Sequence, residues 1–270
     1  FFFPVLVFAE PGKELRTLRG HEGGMTSLAF TPDGQRIVSG SWDGTVKLWD
    51  ASEDREAIRS MVHQGASHSV FTAFTMAFSP DGKRIASNTD GMVKVWDVGT
   101  CTELMTLHRP VAQSQRKGGI AFSANGKLIG ATIPGGTIKV WDAKTSNQVM
   151  TLRTPRQQFW DLAFSPDNKR LVAASIIQVD AYQEIGEIKI WDMSNGKEIT
   201  SLPLGELTPT SIAFSADGKY IASGLCVESR RQGEEVKEGG AIKVWDASSG
   251  TEVMTMTGHD GLVLCVAFSP

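Results

Sequence analysis

The sequence predicts an all-β chain, a β-propeller of four-stranded antiparallel blades, and three observations carry that prediction. Trp-Asp closes a short apolar strand five times, at Trp49-Asp50, Trp96-Asp97, Trp141-Asp142, Trp191-Asp192 and Trp245-Asp246. An Ala-Phe-Ser-Pro-Asp-Gly-like turn keeps the same beat, with its Phe at 30, 78, 122, 164, 214 and 268. Two independent signals at one period mark an array of one supersecondary unit, and a repeat outranks any local reading. No segment carries a convincing 3.6-residue apolar period, so essentially no helix is expected.

The first unit shows why each element forms. Met25–Phe30 alternates polar and apolar residues, as a half-buried strand does. Thr31–Gly34 is a turn, in which Pro32 sets φ and Gly34 allows φ > 0. Arg36–Gly40 is a second strand, and Ser41-Trp42-Asp43-Gly44 a tight hairpin turn, since Asp-Gly between apolar runs favours one. Thr45–Trp49 alternates again, and Ala57–Val62 supplies a fourth strand after an acidic loop. Four strands per repeat of about 40–50 residues is the signature of a blade. The third strands recur at Val93–Trp96, Ile138–Trp141, Ile188–Trp191 and Ile242–Trp245. Fourth strands follow near Leu104–Leu107, Val149–Leu152, Ile199–Leu202 and Val253–Met256. Blades are thus expected over about 20–62, 68–108, 116–153, 157–203 and 207–257, in one domain of residues 1–270.

The two ends hold a partial sixth blade, residues 258–270 with 4–19, which lacks its second strand. The whole reads as an incompletely closed ring or, preferably, a fragment of a larger propeller, because natural sheets protect open edges. Phe1–Ala9 (FFFPVLVFA) has two readings. It resembles the end of a signal-peptide apolar region, with Val7 and Ala9 before a cut. It also overlays on the later IKVWDASSGTEV with Phe8 where Trp stands, and this worn-strand reading is favoured. A cytoplasmic protein is favoured accordingly, and a secreted or periplasmic one fits the alternative.

Composition excludes several classes. The net charge is −3, so no global field recruits nucleic acid or an anionic membrane. Arg116-Lys117, Arg153 and Arg156 are scattered and form no basic stripe. No run approaches the ~20 apolar residues that span a bilayer, and no membrane insertion is expected. Three cysteines (Cys101, Cys226, Cys265) show no C-x-x-C spacing and imply neither zinc nor a disulfide framework. The five histidines stand in no zinc-ligand spacing, and no nucleophile elbow, P-loop or G-x-G-x-x-G is present. No metal, cofactor or catalytic residue is expected.

Gly-His, Ala-Phe-Ser-Pro-Asp-Gly and Trp-Asp, recurring in that order from about Glu10 to Pro270, resemble the WD-repeat (WD40) β-propeller family. The resemblance implies a hydrogen-bonded structural tetrad in the first blade: His21, Ser39, Asp43 and Trp49. A buried indole N–H and a buried carboxylate each need partners, so the tetrad is physically reasonable. Later blades depart from it. The second keeps Ser87, Asp90 and Trp96, with His63 or His68 as partner; Gly135 replaces the turn Asp of the third; Pro155 takes the His position before the fourth. Gly258-His259 recovers the pair. Such blades are expected to rely on apolar packing.

The resemblance also places the second-to-third-strand turns and the fourth-to-first-strand loops on one rim around the channel. By position, Trp42, Phe74, Thr89, Arg116, Gln158, Trp160, Leu262 and Leu264 would stand there. Trp and Arg are the side chains most enriched at binding hot spots. For Trp42 binding is preferred to capping of the core; for Trp160 and Phe74 both readings stay open. Two insertions, Ile176–Glu187 and Leu225–Gly240, lengthen the same rim, and the second brings Arg230 and Arg231. A mixed-charge run is usually a solvated loop, yet loops this long in a compact repeat usually serve a partner. The expected function is a non-enzymatic scaffold for protein or peptide partners. An accessory recognition or regulatory domain fused to an enzyme such as a kinase comes second, and a propeller hydrolase third. Additional blades or a fused domain outside this stretch belong with the fragment reading.

Overall fold

The computed structural model describes residues 5–10, 13–31, 33–51, 59–62, 74–89, 91–108, 118–179, 184–228 and 238–269. Twenty-two strands and no helix are found among them. β1 (Val5–Glu10) and β2 (Lys13–Leu18) form a two-stranded antiparallel sheet. Five four-stranded antiparallel blades follow, each pairing its strands in chain order. Blade one is β3 (Met25–Phe30), β4 (Arg36–Ser41), β5 (Thr45–Asp50) and β6 (Arg59–Val62). Blade two is β7 (Phe74–Phe78), β8 (Arg84–Thr89), β9 (Met92–Asp97) and β10 (Glu103–His108). Blade three is β11 (Ile120–Phe122), β12 (Leu128–Ile133), β13 (Thr137–Asp142) and β14 (Gln148–Arg153). Blade four is β15 (Gln157–Phe164), β16 (Arg170–Gln178), β17 (Glu184–Asp192) and β18 (Glu198–Gly205). Blade five is β19 (Thr208–Phe214), β20 (Tyr220–Glu228), β21 (Glu238–Asp246) and β22 (Glu252–His259). The sixth unit stands as the β1–β2 sheet; residues 262–269 carry no strand pairing. The fold is an all-β propeller of four-stranded blades. It divides into two compact units, Phe1–Ile120 and Ala121–Pro270.

Turn chemistry explains the punctuation. In the turns of the Ser-Pro-Asp-Gly type (SPDG, SPDN and SADG) the hydroxyl of Ser79, Ser165 or Ser215 donates to the Asp two residues on. The same hydroxyl accepts the N–H of Arg84, Arg170 or Tyr220, where the second strand begins. These bonds hold the carboxyls of Asp81 and Asp167 below their ordinary range and pull Asp217 down to about 2. The Asp of each Trp-Asp does similar work at the next turn: Asp246 accepts the N–H groups of Ser248 and Ser249 at 3.0 and 2.8 Å. That turn needs a left-handed residue. Gly196 and Gly250 meet the need without strain, whereas Cys101 and Ser146 take it at φ 56° and 65°.

Blades are joined by one repeated contact. At four junctions an outer strand buries an aliphatic side chain beside the second-strand aliphatic and third-strand Trp of the following blade. Leu18 lies with Ile37 and Trp49, and Met61 with Ile85 and Trp96. Leu152 lies with Leu171 and Trp191, and Leu202 with Ile221 and Trp245. Burying one such side chain is worth about 2 kcal/mol. A cross-strand ion pair stiffens several blades: Lys94 reaches Glu103 at 2.7 Å and Lys189 reaches Glu198 at 2.8 Å, both lysines being buried.

Candidate functional site

The first blade builds its rim on a polar relay. The Trp49 indole N–H donates to Ser39 Oγ at 2.7 Å, and His21 Nε2 lies 2.7 Å from the same hydroxyl. His21 Nδ1 is 2.8 Å from Asp43 Oδ2. One arrangement satisfies every group: indole to hydroxyl, hydroxyl to Nε2, Nδ1–H to carboxylate. Asp43 further accepts the Thr45 hydroxyl at 2.6 Å and the N–H groups of Thr45 and Glu22 at 2.9 and 3.0 Å. Burial pushes the Asp43 carboxyl up, but these hydrogen bonds outweigh it and hold the group far below the usual carboxylate range. In the second blade Trp96 donates to Ser87 at 2.9 Å; His63, His68 and Asp90 lie outside the described residues. Ala131 and Ala173 occupy the Ser39 position in blades three and four, where Trp141 and Trp191 are both buried, Trp191 among apolar neighbours.

Trp42 projects from the turn that this relay pins. The residue is 41% exposed, and its backbone N–H donates to the Gly24 carbonyl at 2.9 Å. A Cβ on Gly24 would stand 2.9 Å from the Trp42 ring, and one on Gly23 would press on the Asp43 amide at 2.7 Å. Gly24 therefore lets the indole pack against its backbone, and Gly23 lets the chain pass the Asp43 amide of the same turn.

Other rim candidates have different surroundings. Thr89 ends β8 opposite Phe74 and is buried. Among the described residues its hydroxyl has no hydrogen-bond partner. For Phe74 the backbone alone is described, and Arg116, Arg230 and Arg231 lie outside the described residues. In the second unit, Trp160 is the extra residue of a β-bulge between Phe159 and Asp161. The bulges of blades one and five hold Thr26 and Thr210 at that position. Trp160 and Gln158 are half-buried, and Trp160 Nε1, Gln158 Oε1 and Gln157 Oε1 are buried without partners in the described residues. Gln157 uses its amide N–H on Glu187. Asp161 points the other way, accepting the Ile212 N–H of the next blade at 3.0 Å. Leu262 and Leu264 are 45% and 64% exposed on either side of buried Val263.

Glycines at the start of the third strands shape this rim. A Cβ on Gly136 would collide with the Thr154 carbonyl, one on Gly186 with that of Leu207, and one on Gly240 with that of Gly261. Each lets the loop into the next inner strand cross at backbone contact. The recurring Gly-x-Ile before each of these Trp-Asp pairs carries that signal in the sequence. Among the described residues no group of three or more His, Cys, Asp or Glu side chains is placed to hold a metal ion. Among the described residues no helix is long and apolar enough to cross a membrane.

The family model for the WD domain, G-beta repeat, matches residues 12–50, 59–97, 201–246 and 250–270. Periodic tryptophan protein 2 of Arabidopsis thaliana is 37% identical over 97 residues, 35% of this chain and 10% of that protein. The small ribosomal subunit protein RACK1z of the same plant is 34% identical over 82 residues, 30% of this chain and 23% of its own length. The chain thus spans from a tenth to a quarter of these relatives. Among solved structures, a chain of Kuenenia stuttgartiensis hydrazine synthase superposes with a TM-score of 0.70 at 19% identity. That match covers 90% of this chain and 68% of the other, a likeness of fold alone.

Proposed function

The chain belongs to the WD-repeat (WD40) β-propeller family, and on that footing we propose that it is a non-enzymatic scaffold presenting its rim to a protein or peptide partner. The observation that carries this reading is Trp42: a large aromatic face, 41% exposed, on a turn immobilised by the His21–Ser39–Asp43–Trp49 relay. A pre-ordered aromatic loses little conformational entropy when a partner covers it, which is what makes Trp a binding anchor. The indole N–H of Trp160 and the amide oxygen of Gln158, without partners among the described residues, add a donor and an acceptor on blade four. Relatives named as a small ribosomal subunit protein and as a guanine nucleotide-binding protein subunit beta are components of assemblies, consistent with this role. The test is affinity capture from the source lysate with the wild-type chain and with Trp42→Ala/Trp160→Ala, after circular dichroism shows both folded. Partners retained by the first and lost by the second support the rim. Equal capture by both removes it.

A further inference from the structure

The bulge residue of the inner strand carries a donor in three blades, and blade four leaves that donor unspent. Thr26 of β3 gives its hydroxyl to the Gly40 carbonyl at 3.3 Å, and Thr210 of β19 gives its own to the Val263 carbonyl. Trp160 of β15 stands at the same place. Its indole N–H is buried without an acceptor among the described residues.

Unspent acceptors stand beside it in the chain. Counting back from Phe30 and Phe164, Gln157 and Gln158 replace Gly23 and Gly24 of blade one. Gln157 is 5% exposed and donates its amide N–H to Glu187. A carboxylate only accepts, so the amide orientation is fixed and the Gln157 oxygen is left over. That oxygen, Gln158 Oε1 and Thr154 Oγ1 are all buried without partners among the described residues. Each such group carries a desolvation penalty that a ligand can lift. The charges around them are spent: Lys189 lies 3.4 Å from Glu187 and 2.8 Å from Glu198. Asp161 accepts the N–H groups of Leu162 and Ile212 at 2.9 and 3.0 Å. Arg153 and Arg156 of the entering loop are exposed to solvent. Buried acceptors, one buried donor and no free buried charge among these groups call for a neutral ligand.

We propose that Trp160 and Gln158, with Gln157 as a second acceptor, form a subsite for the side-chain carboxamide of a Gln or Asn in the partner. An indole N–H only donates and a Gln oxygen only accepts. A primary carboxamide carries a C=O and a syn N–H on one edge and meets such a pair bidentately, as Asn and Gln do on adenine. The ligand oxygen accepts from Trp160, and its syn N–H donates to Gln158. Both residues are half-buried, so the pair is approached from the rim. The subsite is one part of the proposed partner-binding rim and rests on that reading.

The test uses the full chain labelled with nitrogen-15 and reads the Trp160 indole N–H cross-peak, assigned by its loss in Trp160→Phe. The probes are the N-acetyl methylamides of Gln and Asn. The same derivatives of Met and Leu match them in shape and lack the carboxamide. A saturable shift of the cross-peak is expected with a carboxamide probe, and at least about tenfold weaker binding of its apolar match. Gln158→Met keeps the side-chain length and removes the oxygen, so it should erase that preference with the urea midpoint no lower than in wild type. No saturable shift in the folded chain overturns the proposal. Equal binding of the apolar match, or a preference that survives Gln158→Met, overturns it too. Partner capture that depends on Trp42 and Trp160 without any carboxamide preference would remove the subsite and keep the rim, whereas equal lysate capture bears on the rim alone.

Discussion

Ser39→Ala is the sharpest probe of the first blade, because one small hydroxyl there serves two buried partners. Ser39 is fully buried and bridges Trp49 Nε1 and His21 Nε2, each at 2.7 Å. Alanine keeps the backbone and nearly the volume but leaves a buried indole N–H and a buried imidazole nitrogen without partners. Each orphaned group costs about 1–3 kcal/mol, so the pair should cost about 3 kcal/mol. The loss should reach further, since His21 then holds Asp43 less firmly and the turn carrying Trp42 loosens. Urea unfolding followed by tryptophan fluorescence measures the change, with a drop in Tm of about 5–10 °C as the thermal counterpart. Ala131→Ser is the companion: it puts a hydroxyl at the Ser39 position of blade three, in the blade of buried Trp141, and should be neutral or stabilising by up to about 1 kcal/mol. A loss below about 0.5 kcal/mol for Ser39→Ala would refute the argument, since the relay would then carry no net stability.

Four further outcomes are expected. Gly186→Ala should destabilise by about 3 kcal/mol in denaturant titration, because its Cβ would meet the Leu207 carbonyl and, at 2.9 Å, Pro209. Gly261→Ala, with open space at its Cβ, should stay within about 0.5 kcal/mol of wild type. Ser146→Gly should stabilise by about 0.5–1 kcal/mol, since Ser146 sits at φ 65° in the turn where Gly196 and Gly250 stand in later blades. In acid, Asp43 is the group to watch. Its folded pKa lies below the unfolded value of 3.8, so its contribution is complete above about pH 4 and drains away as pH falls. Asp217, lowered to about 2, behaves alike. The urea midpoint should fall steadily below pH 4, and Asp43→Asn, already less stable at pH 7, should show a shallower fall.

The blades were legible because their signals are local. Asp-Gly and Gly at left-handed positions close hairpins wherever they occur, and Trp-Asp couples a buried ring to a carboxylate that caps the next turn. The relay could be assigned residue by residue for the same reason, as its four members sit at fixed places in one repeat. Crossings between blades were harder to see. Gly136, Gly186 and Gly240 are demanded by a neighbouring loop's carbonyl, a partner that no window around the glycine contains, although the repeated Gly-x-Ile spacing announced them. Burial of Thr89 was hidden likewise, because position along the repeat says that it ends a strand and nothing about what covers it.

Trp42 and Trp160 show how far one residue type can diverge on the same scaffold. Both break a position that other blades fill with something smaller. The Trp42 ring packs against Gly24 and is 41% exposed. Trp160 is lifted by a bulge, so the ring turns half inward and its N–H ends buried with no acceptor in the described residues. An exposed, braced ring gives affinity through the area a partner covers. A buried donor without an acceptor is instead poised to discriminate, because a ligand bringing an oxygen there removes an existing penalty of about 1–3 kcal/mol. Trp160→Phe separates the two roles: it keeps the ring and deletes the N–H. If Trp160 selects, the variant should be at least as stable as wild type in urea and should weaken partner binding about tenfold. If it only fills space, stability should fall slightly and binding should not move.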